Sequence, residues 1–113
     1  MSDSHNEPKR SARPTFICAK VLKAMADDTR LRILRLLFQG ERSVGDIAQA
    51  LGLSQTHTSH HLAILRAAGL VEDERRAQRV LNRLDPRVHD SFASGSRIDL
   101  GCCVVEFRPL EPT

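Results

Sequence analysis

The sequence contains no Trp and no Tyr, and its only aromatic residues are four Phe. A core built from this chain must therefore be largely aliphatic, and 113 residues with 41% hydrophobic content suit one small domain. No apolar run approaches the roughly 18 residues of a transmembrane helix. Residues 1–13 lack the apolar stretch of a secretory signal and are typical of a disordered arm. We therefore expect a cytoplasmic domain without a membrane partner.

Cysteine is also scarce, with Cys18, Cys102 and Cys103 as the three examples. An odd number argues against a disulfide framework, so we expect thiols that are available to a metal or an oxidant. Neighbouring residues of a regular strand point to opposite faces, so Cys102 and Cys103 can share a ligand only if the chain bulges near Gly101. Metal or metalloid sensing, redox or sulfur sensing, and simple burial as small hydrophobic residues all remain open.

Apolar spacing predicts two helices between Pro14 and Gly40. In the first helix the apolar residues recur three and four positions apart, at Ile17, Val21, Leu22 and Met25. Asp27 is a good N-cap for the second helix, DTRLRILRLLFQG, which Gly40 ends.

Two further short helices are predicted on either side of a turn at Gly52. Ser43 and Asp46 have capping-box spacing at the start of SVGDIAQALGL. Ser54 caps the next helix, which runs to Ala68 and ends at Gly69. Two short helices joined by a turn that contains Gly form a helix-turn-helix.

After Gly69 the apolar period changes from helical to alternating. LVEDERRAQRVLNRL has apolar ends and a polar middle, which predicts a β-hairpin, the wing of a winged helix. Asp85-Pro86 predicts a short helix to about Ala93, and RIDLGCCVVEF, from Arg97 to Phe107, predicts a strand. The predicted fold class is mainly α with a small β component. It comprises a winged helix-turn-helix over 14–95, a C-terminal strand over 96–108 and a tail over 109–113.

The pattern of polar side chains favours double-stranded DNA as the partner. Residues 75–83 carry four Arg and no acid, which is typical of a phosphate-binding surface, although a solvated hairpin is the alternative. The first turns of a recognition helix enter the major groove, where small polar side chains read base edges. The candidate DNA-binding residues are therefore Ser54, Gln55, Thr56, Ser59 and His60 on the helix and Arg75, Arg76 and Arg79 on the wing.

Three histidines lie close together, at His57, His60 and His61. His57 and His61 are four residues apart, a spacing at which two imidazoles can hold zinc on one helix face. However, no Cys, Asp or Glu lies between Gly52 and Val71 to complete the site, and a bound ion would block the reading surface. We therefore expect no metal at this pair.

The segment VLKAMADDTRLRILRLLFQGERSVGDIAQALGLSQTHTSHHLAILRAAGLV resembles the core of the ArsR/SmtB winged-helix repressors. The resemblance covers roughly residues 16–84. It implies a homodimer that binds an operator, an inverted repeat in double-stranded DNA, and releases it when an inducer binds. It also implies an inducer that is a metal ion or metalloid in most members, and an oxidant or sulfur species in some.

Two departures from this family pattern point to the cysteines as the inducer site. Ser43 and Gly45 stand where arsenic-sensing members have cysteines, and only Asp85, His89 and Asp90 remain as candidates for the zinc-sensing ligands. A short C-terminal strand replaces the usual long last helix, which packs against the first helix at the dimer interface. We therefore expect Cys18 to meet Cys102 or Cys103 there and to bind a thiophilic metal or metalloid inducer, with no certain cofactor.

Two other classes of function fit the sequence less well. An enzyme would need a nucleophile beside a base, but the histidines cluster on one predicted helix and the cysteines lie elsewhere. A protein-interaction module without DNA binding is disfavoured by the wing arginines. Salt separates this module from a DNA-binding protein, because counterion release makes DNA affinity fall steeply as salt rises.

Overall fold

The computed structural model describes residues 14–90 and 95–109 and confirms the first four of the five predicted helices. The predicted arm and residues 110–113 of the tail lie outside the described residues. None of the described helices is long and apolar enough to span a membrane. The elements, in chain order, are α1 (Thr15–Met25), α2 (Asp28–Leu37), β1 (Arg42–Ser43), α3 (Val44–Leu51), α4 (Gln55–Ala67), β2 (Val71–Arg76), β3 (Arg79–Leu84), β4 (Arg97–Asp99) and β5 (Val104–Glu106).

Side-chain caps fix the starts of three helices, as the sequence predicts. In each case a side-chain oxygen accepts a backbone N–H three residues further on: Asp27 from Arg30, Ser43 from Asp46, and Ser54 from His57. Gly52 has a φ of 71°, the left-handed conformation that favours glycine, and Leu53 N–H then donates to Ala48 C=O. These local bonds close the turn between α3 and α4.

The core is aliphatic and lies between the helices and one face of the wing. Its most deeply buried side chains include Ile33, Leu34, Ile47, Leu62, Leu65 and Leu70. The predicted wing is confirmed as the antiparallel pair β2–β3. Residues Arg42 and Ser43 add a short third strand, β1, beside β3, which the sequence pattern did not indicate.

The predicted helix from Asp85 is wrong over the described residues 85–90. The N–H groups of Val88 and His89 both donate to Asp85 C=O, which makes a single turn. The buried Asp85 carboxylate accepts the N–H of Arg87, and Val88 C=O accepts the N–H of Asp99 in β4. Because the Val88 carbonyl accepts this bond from a strand, it is less available to accept a bond from the next turn of a helix. The rest of that prediction, residues 91–94, lies outside the described residues.

The predicted strand from Arg97 to Phe107 is instead a hairpin. Strands β4 and β5 pair antiparallel on either side of a tight turn, in which Leu100 N–H donates to Cys103 C=O at 2.8 Å. Gly101 has a φ of 92°, and its N–H donates to the Asp99 carboxylate. The sequence indicated an irregularity at Gly101, but the left-handed residue reverses the chain rather than making a bulge.

Candidate nucleic-acid interface

The first half of α4 presents polar side chains to solvent. The five predicted reading residues are all exposed: Ser54, Gln55, Thr56, Ser59 and His60. Each of them can donate or accept hydrogen bonds. The opposite face of α4 is buried in the core through Leu62 and Leu65. This division gives α4 one face for packing and one face that can enter a groove.

Thr58 lies on the inward face of α4 although its side chain is polar. It is fully buried, and its hydroxyl donates to Ser54 C=O at 2.9 Å. This bond satisfies the hydroxyl inside the core. Thr58 therefore leaves the outer face of α4 undisturbed.

The histidine cluster divides into exposed and buried members. His57 and His60 are exposed, whereas His61 is only 8% exposed. His61 Nδ1 lies 3.1 Å from Arg30 Nη1 and 3.9 Å from Asp27 Oδ2. Burial lowers the pKa of His61, and the nearby Arg30 charge also lowers it, whereas Asp27 raises it. The ring nitrogen Nδ1 is thus already used inside the protein and is not offered to a metal shared with His57.

Arg75, Arg76 and Arg79 on the wing are exposed and Arg83 is half-buried, and acids from the wing itself and from other segments compensate most of them. Arg76 bonds Glu41 at 2.7 Å and Glu74 at 3.3 Å. Arg83 bonds Glu72 at 2.7 Å and Glu74 at 2.6 Å. These bonds lower the pKa of Glu74 and raise the pKa of Arg76. The predicted basic segment is therefore less positive than its own residues suggest.

Arg79 and Arg75 differ in their partners. Arg79 Nη2 lies 2.8 Å from Asp46 Oδ2 at the start of α3. Hydrogen bonding by Ser43, followed by the Arg79 charge, lowers the pKa of Asp46. Arg75 has no ion-pair partner among the residues that the structure describes. Arg75 is thus the wing cation that is most available to a phosphate.

Part of this compensation could have been recognised from the sequence. A hairpin that turns at Ala77-Gln78 places Glu72 opposite Arg83, and the structure has this register. The contribution of Glu41 and Asp46 carries no comparable signal, because they lie more than thirty residues from their partners in the wing.

The three cysteines meet where α1 contacts the turn between β4 and β5. The expectation of free thiols is wrong for two of them, since Cys18 and Cys102 form a disulfide. Cys103 is free and exposed, and its Sγ lies 3.6 Å from Cys102 Sγ. The chain reversal at Gly101 brings this turn next to α1, where Cys102 reaches Cys18. The third cysteine, Cys103, remains a free thiol. In this state, no three His, Cys, Asp or Glu within residues 14–90 and 95–109 are grouped to hold a metal.

Known proteins match the part of the chain that contains the helix-turn-helix. The family model described as "Bacterial regulatory protein, arsR family" matches residues 27–73. The arsenic resistance transcriptional regulator ArsR1 of Pseudomonas putida is 48% identical over 69 residues, which cover 60% of this chain and 54% of that protein. The match therefore spans about half of that relative's length.

Two shorter relatives are covered more fully. The transcriptional activator HlyU of Vibrio cholerae is 48% identical over 76 residues, which cover 67% of each protein. The transcriptional repressor SdpR of Bacillus subtilis is 41% identical over 68 residues, which cover 60% of this chain and 76% of that protein.

The solved structures agree with the fold. The homodimeric winged helix-turn-helix DNA-binding domain Mb0332 of Mycobacterium bovis is 44% identical, with a TM-score of 0.61. The alignment covers 63% of this chain and 66% of that one. With this fold, this family match and relatives covered over two thirds or more of their length, the chain belongs to the ArsR family of bacterial regulatory proteins.

Proposed function

We propose that the protein is a transcriptional repressor, not an enzyme, that binds an inverted-repeat operator in the cytoplasm as a homodimer. The observation that carries this proposal is the outer face of α4, where five exposed hydrogen-bonding side chains precede a buried packing face. Side chains of this kind read base edges in the major groove. Arg75, Arg76 and Arg79 on the neighbouring wing supply the positive charge that phosphates attract.

Exposed apolar residues on α1 support dimerisation. Phe16 is 68% exposed, and Ile17 and Leu22 are also exposed on the same helix. The similar Mb0332 domain is homodimeric. The disulfide holds the β4–β5 hairpin against α1, so we place this hairpin beside the dimer interface. Two α4 helices would then read half-sites one helical turn of DNA apart.

Oxidation of Cys18 and Cys102 is the induction chemistry that the structure favours. The two thiols become one disulfide and lose two protons and two electrons, which hydrogen peroxide takes up as it is reduced to two waters. The resulting bond joins α1 to the hairpin at the proposed dimer interface. Formation of this bond would change how the two α4 helices are spaced and would release the operator.

A thiophilic ion is the second candidate inducer, because three sulfurs meet at one place. A metalloid such as arsenite fits only the reduced protein, in which Cys18, Cys102 and Cys103 could supply thiolates. The relative ArsR1 is described as an arsenic resistance regulator, which supports testing this ion.

DNA binding is tested with a duplex that the reduced protein selects from a random-sequence library. Anisotropy should show that the selected duplex binds more tightly than a shuffled one, with affinity that falls steeply as salt rises. Failure to select any sequence would contradict operator binding and favour the protein-interaction module. In the source bacterium, deletion of the gene should raise transcription from the promoter that carries the selected site, whereas a fall would identify an activator.

The inducer is tested on the complex with that duplex. Peroxide should release the DNA from the parent protein and from Cys103→Ser, and a dithiol reductant should restore binding. Cys102→Ser should keep its DNA in peroxide, because it cannot form the bond to Cys18. Release of DNA from Cys102→Ser at the same peroxide concentration would overturn this role. Release by arsenite alone, with new ultraviolet thiolate absorption, would identify the ion instead.

A further inference from the structure

Arg30 connects three segments of the protein. Its Nε donates to Ala24 C=O near the end of α1 at 2.5 Å, and its Nη1 lies 3.1 Å from His61 Nδ1 on α4. Its backbone N–H donates to Asp27, the cap of α2. One residue therefore bonds the helix with the exposed apolar face, the start of α2 and the helix that carries the reading residues.

The bond to His61 fixes the protonation state of the ring. A guanidinium can only donate, so Nδ1 must accept and the proton of the neutral ring lies on Nε2. A protonated ring has no acceptor left for Arg30. The charged and titratable groups facing the ring are Asp27 and Arg30 from the α2 side and His57 and His60 on α4.

We propose that Arg30 is a positioning residue for DNA recognition, which holds α4 at a fixed orientation to α1 through the neutral ring of His61. His61 directly follows His60, the last of the five reading residues, so a rotation at His61 moves the surface that enters the groove. The apolar contacts of Leu62 and Leu65 anchor α4 but are non-directional, whereas two charge-assisted hydrogen bonds specify an angle. This inference rests on the proposed DNA-binding function.

The first test replaces the guanidinium. Arg30→Met should weaken binding of the selected duplex at least about tenfold while leaving binding of shuffled DNA nearly unchanged. Arg35→Met is the matched control, because Arg35 lies on the same helix and donates to Arg108 C=O, away from α4. It removes the same charge and should keep sequence preference. Arg30→Lys, which can donate to only part of this network, should restore part of the preference.

The second test uses pH. Because burial holds the pKa of His61 below its ordinary value of 6.5, the ring is neutral above that value and is protonated as the pH falls through the lowered pKa. Preference for the selected duplex should therefore fall in the parent protein below pH 6.5. His61→Asn keeps an acceptor near the position of Nδ1 but does not titrate, so its preference should lack this part of the pH dependence. His89→Asn is the control, since His89 lies elsewhere, against Phe38.

Each outcome bears on the proposal separately from DNA binding itself. If the parent selects a duplex but Arg30→Met and Arg35→Met bind it equally well, Arg30 does not position α4. If the duplex preference of His61→Asn depends on pH as that of the parent does, His61 does not take part in positioning α4. If Arg30→Met does not fold, Arg30→Lys and His61→Asn still decide the question. If the parent selects no duplex, the proposed function fails first.

Discussion

The two surfaces proposed to contact DNA differ in how their side chains are partnered. On α4 the reading side chains are exposed, and the local bonds of Ser54 and Thr58 shape the backbone beneath them. On the wing, Arg76, Arg79 and Arg83 are bonded to acids. A phosphate must compete with those acids, whereas a base edge meets side chains on α4 that are already available.

This difference suggests that sequence specificity and electrostatic affinity come from different surfaces, α4 and the wing. Exposed surface ion pairs contribute little to stability. The wing arginines can therefore give up their carboxylate partners for DNA phosphates at a small cost in free energy. We also expect these carboxylates to limit non-specific binding by the wing, since the net positive charge of the wing is smaller than its arginine count. We therefore expect sequence preference to depend mainly on α4, and a modest, salt-sensitive share of affinity to depend on the wing.

The largest expected effect is on α4. Replacing Gln55 or His60 with Ala should weaken binding to the selected duplex by about 1–3 kcal/mol for each base that the side chain reads. The effect on shuffled DNA should be much smaller, because base contacts specify and phosphate contacts only position. Anisotropy titrations on both duplexes measure the two numbers. Equal weakening on both would show that these side chains do not read sequence.

The wing gives the next effect. The double change Arg75→Ala and Arg79→Ala should weaken binding similarly for all sequences and flatten the dependence of log K on log salt, by about 0.9 for each phosphate that the wing no longer neutralises. Arg75→Ala alone should account for more of this change, since Arg79 is paired with Asp46. A double variant that binds shuffled DNA as well as the parent does would show that the wing holds no phosphate.

A small gain is expected at Asp46. Asp46→Asn removes the charge that pairs with Arg79 and should strengthen binding of shuffled DNA by a small factor. In the parent protein the pKa of Asp46 is lowered, so the carboxylate remains charged until the pH falls below the ordinary value of 3.8. The gain should thus be present throughout the neutral range. A weaker complex with Asp46→Asn would show that the ion pair holds Arg79 in its binding position.

No effect is expected on metal content at the histidines. His57→Gln with His61→Gln should leave metal stoichiometry, measured by atomic emission on the purified protein, equal to that of the parent. The reason is that His61 Nδ1 faces Arg30 rather than a vacant site beside His57. A lower metal content in this pair variant would show that the two imidazoles are ligands after all.

The helices and the wing could be predicted because their signals are local. The caps Asp27, Ser43 and Ser54 each bond a residue three positions further on. The alternation of side chains along a strand follows from the pleated backbone alone and predicts the hairpin. The region after Leu84 could not be predicted in the same way. Within its turn, Val88 C=O accepts a bond from Asp99 N–H in β4, and the Cys18–Cys102 pair joins residues that are 84 positions apart. The acids that compensate Arg76 and Arg79 are likewise distant in sequence.

Hydroxyl-radical footprinting of the reduced protein on its selected duplex tests the central claim most directly. A dimer that reads an inverted repeat with two α4 helices should protect two half-sites about 34 Å apart, one turn of duplex, on one side of the DNA. The Gln55→Ala and His60→Ala double variant should show neither protected patch at a concentration where the parent shows both. Protection spread evenly along the duplex, or unchanged by that double variant, would contradict sequence reading by α4.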